Sequence, residues 1–316
     1  MGVSAIFMMG LVIMCEGLVA MDSESRHHSS PDDSYYMAAS GDLDPEMTTE
    51  QMAANQLEVL TFNIMWEENG IRAGDTALPV WQSRKRLVIA MINDVDPDII
   101  GLQEASIEQQ ADLRTDLPKY EIVYDNIANN TNPILFKKSR FRLVRSETFI
   151  LNAEPEMPGT NIGVRKATWC QLEDKSTKSR FNIYNLHLDS RSKGRTKHVS
   201  AIRLMERMLQ DPDPTIIVGD FNSRDSSSTM SFFYGRTALY NDQGLHFVNP
   251  RPFRNVFRLT HPDRGTDLVD HILVDEELTV LDSMRIESGN ASDHPAVSTN
   301  LSVQNDGPNH RVGRKR

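Results

Sequence analysis

The chain has 316 residues, a net charge of −10 and a pI near 5.4, with 39% hydrophobic and 25% charged residues. That length and apolar content suffice for a sizeable core in one large domain or two small ones. The acidic balance excludes a protein that coats polyanions through a broadly basic face, though it leaves room for a local basic groove or a metal ion that meets a phosphate.

From the N-terminus, Ala5 to Cys15 reads AIFMMGLVIMC, an apolar run of signal-peptide length and short for a bilayer span. Gly17 and Ala20 follow as small residues suited to cleavage, although no Lys or Arg precedes the run. Residues 1–20 are read as a secretory signal, which makes the protein secreted or periplasmic; an uncleaved anchor is the alternative. Residues 21–56 are polar and without periodicity, a disordered spacer. With Cys15 in the signal, Cys170 is alone and the fold must stand without an internal disulfide. The sequons at Asn129, Asn290 and Asn300 are glycan acceptors in a host that glycosylates.

A domain follows over 57–303. LEVLTFNI from Leu57 is a strand, and Val80, Leu87, Val88, Met91 and Val95 line one face of a helix. DIIGLQ is a short buried strand, after which Ser106-x-x-Gln109 forms a capping box. PILFKK, FRLVRSETF, KATWCQLE and RFNIYNLHL read as strands; Ala201, Ile202, Met205, Met208 and Leu209 form a helical stripe. TIIVGDF, LVDHILV, LTVLDSMRI and AVSTNL complete the strands, and 304–316 is a basic tail. Strands are many and adjacent while helices are few, so the fold class is α/β (α+β), with mixed or antiparallel sheets and helices outside them.

The stretch TIIVGDFNSRD ends a buried strand by placing Asp220 and Asn222 on one side of its C-terminal edge. Other apolar runs end similarly: Asn63 in TFNI, Glu104 in GLQE, His187 in NLHLDS, Asp270 in LVDHILV, and Asp293 with His294 in SDHP. Singly, each reads as a turn former or a helix cap. Together they set carboxylates, amides and imidazoles along one rim, and clustered carboxylates are costly unless a cation or phosphate chemistry uses them.

The ordered series TFN, GLQE, NLHLD, GDFN, VDHI and SDHPAV resembles the endonuclease/exonuclease/phosphatase superfamily over roughly Leu57 to Leu301. The resemblance implies a four-layer sandwich, two packed mixed β-sheets flanked by helices, with one metal-assisted site at the sheet edges. It implies Glu104 as the main Mg²⁺ ligand, with Asn63 and Asp293 beside the metal and Mn²⁺ as a substitute. His294, oriented by Asp270, is then the general base or a phosphate-positioning group; Asp220 and Asn222 hold the nucleophilic water and phosphoryl oxygens. His187 stabilises the transition state or protonates the leaving oxygen. Such chemistry needs a metal to offset phosphate charge, a base for water and a donor for the departing alkoxide.

Asp267 competes with Asp270, and Asp270 is preferred because it interrupts the apolar strand. GDFNSRDSSS and NLHLDS look like the deadenylase-related and bacterial secreted branches, which act on varied phosphodiesters and phosphomonoesters. Arg165 is a secondary candidate for phosphate contact and Trp169 for base stacking, with Arg195 beside them; a core Trp and a surface-paired Arg are the plainer reading. His198, His246, His261 and His271 match no catalytic position. The expected function is a secreted Mg²⁺-dependent phosphodiesterase or nuclease, monomeric and without a stable protein partner, acting on a phosphate ester, nucleic acid included. The alternatives are a phosphomonoesterase, a lipid phosphodiesterase or an inactive binding module on the same fold.

Overall fold

Nearly continuous burial along LEVLTFN and RFNIYNLH makes these segments central strands of two sheets, each covered on both faces. The computed structural model describes residues 55–67, 79–123, 130–152, 164–190, 195–240, 244, 246–261 and 267–303. The segment read as a signal, nearly all of that read as a spacer, the basic tail, Asn129 and the Arg195 side chain lie outside the described residues.

The first sheet has the order β13 (Thr279–Ile286), β14 (Ala296–Ser302), β1 (Gln56–Asn63), β2 (Ile99–Gln103), β4 (Ile134–Lys137), β3 (Tyr120–Ile122). The second runs β11 (Arg254–Asn255), β12 (Asp270–Val274), β8 (Thr215–Asp220), β7 (Arg180–His187), β6 (Arg165–Asp174), β5 (Phe141–Asn152). A separate pair joins β9 (Leu239–Tyr240) to β10 (His246–Phe247). Both large sheets are mixed: β1 with β2 and β7 with β8 are parallel, and their other pairings are antiparallel. Each parallel pair is joined through a helix, α1 (Trp81–Val95) in the first sheet and α3 (Arg195–Met208) in the second, because a parallel pairing needs a crossover. The remaining helices are α2 (Ile107–Asp116), α4 (Ser228–Phe233) and α5 (Val256–Thr260).

Leu57, Val59, Ile99 and Phe136 meet Ile183, Ile216, Val218 and Ile272 between the sheets. Alternate residues of the same strands face outward: Leu60, Phe62 and Leu102 against α1 and α2, and Tyr184, Leu186 and Ile217 against α3 and α4. This is the expected four-layer sandwich. At Gly101 on β2 the sheets come so close that a Cβ would lie 2.2 Å from Val218 Cγ2, so only glycine fits without displacement.

Two helical faces differ from expectation. On α1 the buried stripe is Trp81, Arg84, Val88 and Ile92, while Val80 and Leu87 are exposed; a buried arginine rotates the face away from the purely apolar reading. Leu209 lies just past α3 and is exposed, its place in the stripe taken by Leu204. The capping box at Ser106 is present, with Gln109 N donating to Ser106 Oγ and Gln109 Oε1 accepting from Ser106 N.

Strand direction gives the sandwich two distinct rims. One carries the ends of β1, β2, β7 and β8 with the starts of β12 and β14. At the other, Arg140 Nη1 donates to Asp98 Oδ2 at 2.6 Å and Arg140 Nε to Asp174 Oδ2 at 2.9 Å. Arg251 Nε donates to Asp275 Oδ1 at 2.9 Å, and Arg145 and Arg207 both donate to Asp211.

Candidate active site

Along β1 the inward side runs Leu57, Val59, Thr61, Asn63; along β7 it runs Phe181, Ile183, Asn185, His187; along β8 it runs Ile216, Val218, Asp220. The apolar core therefore changes to polar residues toward one rim. Just beneath that rim Gln103 Nε2 donates to Asn185 Oδ1 at 2.7 Å, and Asn185 Nδ2 donates to the Leu102 and Pro133 carbonyls. This amide layer satisfies its own polar groups and supports the side chains above it.

Asn63 joins the two sheets: its Nδ2 donates to Glu104 Oε1 at 3.3 Å on its own sheet and to Asp220 Oδ2 at 3.1 Å on the other. Its Oδ1 accepts from Met65 N. Asn63 thus turns its NH₂ to two carboxylates and its carbonyl to the backbone. In this arrangement it orients both carboxylates and lies beside the group that would hold a cation. Glu104 directly follows β2 in a left-handed conformation (φ 58°), and its Oε2 accepts from Trp66 N at 3.0 Å. A non-glycine residue held there marks local strain of the kind that collects at functional sites.

Asp220 and Asp270 are register partners on β8 and β12. His294 Nδ1 is 2.8 Å from Asp270 Oδ2, and its Nε2 lies 3.9 Å from Asp220 Oδ2. His187, the parallel-register partner of Asp220, places Nε2 at 3.4 Å from the same oxygen. Asn222 also has a left-handed backbone (φ 46°); its N donates to Asp220 Oδ1 and its Nδ2 to the Leu188 carbonyl. Ser292 Oγ donates to the Asn63 carbonyl at 2.6 Å and accepts from His294 N, fixing the turn that carries the exposed Asp293 and the half-buried His294.

Burial alone would lower His294; the hydrogen bond and charge of Asp270, backed by Asp220 and Asp293, overcome it and hold the imidazole at about 9. His187 goes the other way. Burial lowers it to about 4, against the opposing charge of Asp220 and with help from Arg165 and His294. Asp220 and Asp270 are both raised, first by burial.

Asp220, Asp270 and His294 bring one ligand atom each within 4.8 Å of one another. Asp270 Oδ1 is buried without a hydrogen-bond partner among the described residues, and an orphaned carboxylate oxygen calls for a cation or a proton. Glu104, Asp220, Asp270 and Asp293 are hard oxygen donors, the kind a divalent cation such as Mg²⁺ takes. The residues present fit such an ion.

The structure brings Asn63, Glu104, His187, Asp220, Asn222, Asp270, Asp293 and His294 to one rim. Asp267 stays outside, its exposed side chain 3.5 Å from Arg224. Arg165 borders the site, 3.5 Å from Asp189 Oδ1. Trp169 does not: it is 3% exposed beneath α3, with Arg207 stacked at 4.1 Å and Nε1 donating to Asn182. The plainer reading, a core tryptophan, holds, and the secondary candidate role of stacking on a base does not. His271 is a buried brace, Nε2 to the Ser223 carbonyl and Nδ1 to Asn255 Nδ2. Ser292, Asp189 and Lys197, whose Nζ donates to the Asn222 carbonyl, escaped the sequence reading. Ser292 and Asp189 had a signal, their places inside the SDH and NLHLD motifs.

The family model described as the Endonuclease/Exonuclease/phosphatase family matches residues 60–294. An uncharacterized protein of Acanthamoeba polyphaga mimivirus is 25% identical over 192 residues, 54% of this chain and 68% of that one. The mannosyl-6-phosphatase of Bacteroides thetaiotaomicron VPI-5482 is 22% identical with TM-score 0.59, covering 78% of this chain and 99% of its own. ANGEL2, a 2′,3′-cyclic phosphatase solved with adenosine-2′,3′-vanadate, is 17% identical with TM-score 0.65, covering 78% and 96%. At such identities the solved structures speak for the fold; the family model, spanning most of the domain, speaks for descent. The chain belongs to the endonuclease/exonuclease/phosphatase family of phosphoric-ester hydrolases.

Proposed function

We propose that this chain is an exported, Mg²⁺-dependent hydrolase that attacks phosphorus with water, with phosphodiesters, nucleic acid among them, as the first substrate class. The observation that carries the reading is the convergence on Asp220 Oδ2 of three groups: the Asn63 amide, the His187 imidazole and the His294 imidazole held by Asp270. Glu104 and Asp293, with Asp220 and Asp270 opposite, would hold the divalent ion. When bound it would offset phosphate charge as a Lewis acid. Asp220, raised by burial and flanked by two imidazoles, is the group placed to take a proton from water. His294 donates toward the phosphoryl oxygens while Asp270 fixes its tautomer. His187, neutral at physiological pH, stands on the far side of Asp220 with Nε2 3.4 Å from Oδ2, placed to meet the leaving oxygen. The apolar run from Ala5 to Cys15 supports export.

The likeness to a mannosyl-6-phosphatase makes phosphomonoesters the second class to try. The test is hydrolysis of bis-p-nitrophenyl phosphate and p-nitrophenyl phosphate with Mg²⁺, with Mn²⁺ and with EDTA, followed by DNA, RNA, sphingomyelin and phosphoinositides. Metal-dependent turnover of the diester is expected. Full activity in EDTA, or no turnover of any ester, would overturn the reading.

A further inference from the structure

Among the described residues Arg84 is the largest fully buried side chain, and its guanidinium has no carboxylate within ion-pair distance. It donates to four backbone carbonyls instead. Nη1 reaches Ile64 and, at 3.0 Å, Ala291; Nη2 reaches Met65 and, at 3.2 Å, Trp66. Three of these carbonyls belong to the loop that begins at Asn63, and the fourth precedes Ser292, Asp293 and His294. The carboxylate charges that act on Arg84 are those of Asp293 and Glu104.

The loop it grips is strained and held from several sides. Met65 is left-handed (φ 57°), and its carbonyl also accepts from Gln109 Nε2 at 3.0 Å. Its neighbour Trp66 donates to Glu104. The Trp81 ring lies 5.3 Å from the Arg84 guanidinium and is anchored by Nε1 to Asp112 Oδ2 at 2.8 Å. A buried cation without an ion-pair partner is expensive to keep, and apolar packing of α1 would not call for one.

We propose that Arg84 is a positioning residue for the metal-facing half of the site: it ties the Asn63 loop to the Asp293–His294 loop and sets a fixed charge behind Glu104 and Asp293. The inference rests on the reading that these two carboxylates help hold a divalent ion. The planar guanidinium matters as well as the charge, because only its fork spans carbonyls on both loops at once. Groups that orient metal ligands typically change metal affinity or activity about 10–100-fold when lost.

The experiment compares the wild-type chain with Arg84→Lys, Arg84→Gln and Arg254→Lys. Arg254 is the matched control: it also spans several carbonyls, those of Asp275, Glu276 and Leu278, at the opposite rim. Mn²⁺ affinity is read by electron paramagnetic resonance, alongside thermal melts and kcat and KM at saturating metal. The expected result is a Mn²⁺ affinity about tenfold weaker in Arg84→Lys and up to about 100-fold weaker in Arg84→Gln, with kcat reduced more than KM is raised. Arg254→Lys should lower the melting temperature alone. Should Arg84→Gln fail to fold, Arg84→Lys decides. Wild-type Mn²⁺ affinity in a folded Arg84→Lys overturns the inference, as does loss of the fold in both Arg84 variants. Absence of Mn²⁺ binding in the wild type overturns the metal reading and takes the inference with it.

Discussion

At the rim away from the site, Asp98, Asp174, Asp211 and Asp275 each accept hydrogen bonds from an arginine; at the site rim, Glu104, Asp220 and Asp270 face amides, imidazoles and one another. The same residue type is therefore driven in two directions. Asp174 is buried, which raises it, but hydrogen bonds from Ser176, Arg140 and the Thr177 and Ser176 backbone outweigh burial and leave it below the usual carboxylate range. Asp220 and Asp270 are pushed up because burial is not offset. Asp275 shows the limit of pairing: burial raises it in spite of Arg251. The far rim uses acids to pin loops, and the site rim keeps them available for a cation and a proton.

The comparison breaks most visibly if site residues prove replaceable. His294→Ala and His187→Ala should each lose about 10²–10⁴-fold in kcat/KM with little change in melting temperature. The double variant should lose less than the product of the two, since both meet at Asp220. His261→Ala, in which a ring stacked on Phe257 is lost, should stay near wild type in steady-state kinetics. An equal loss there would undo the site map. Glu104→Gln should weaken Mn²⁺ binding and turnover together by at least about tenfold, measured by metal titration and initial rates.

At the far rim the prediction inverts. Arg140→Met leaves Asp174 and Asp98 without their guanidinium and should cost about 3 kcal/mol in urea denaturation, at the low end for a broken buried pair because Lys137 still faces Asp98. Its kcat/KM should not move. The smallest effect concerns pH. Because the folded Asp174 lies below its unfolded value of about 3.9, its contribution to stability is present above that pH and fades as pH falls through the folded value. Melting temperatures between about pH 5 and pH 2 should therefore fall less steeply in Asp174→Asn than in the wild type. Identical slopes would count against Asp174 as one of the acid-sensitive groups.

Much of this contrast was legible before any coordinates. The apolar runs TIIVGDFN and NLHLDS already set Asp220 and His187 at strand ends on one rim, and the capping box at Ser106 announced α2. What stayed hidden were contacts made across the fold. Arg84 looks like a solvated helix residue in WQSRKRLV, because nothing local says that four carbonyls await it. Trp169 kept a second reading as a stacking platform because the arginine that covers it comes from α3, far along the chain. The short strands β9, β10 and β11 have two residues each, too few for periodicity to register.

Gly101 acts as a spacer gauge for the chemistry two residues beyond it. Its missing side chain lets β2 close on Val218 of β8, and the Asn63–Asp220 bridge crosses that same gap one step nearer the rim. A single methyl at Gly101 would work as a wedge between the sheets, lengthening the reach between Glu104 on one side and the Asp270–His294 pair on the other. The span available to a phosphoryl group is thus calibrated from inside the core, by an atom that is absent, at a position no substrate touches.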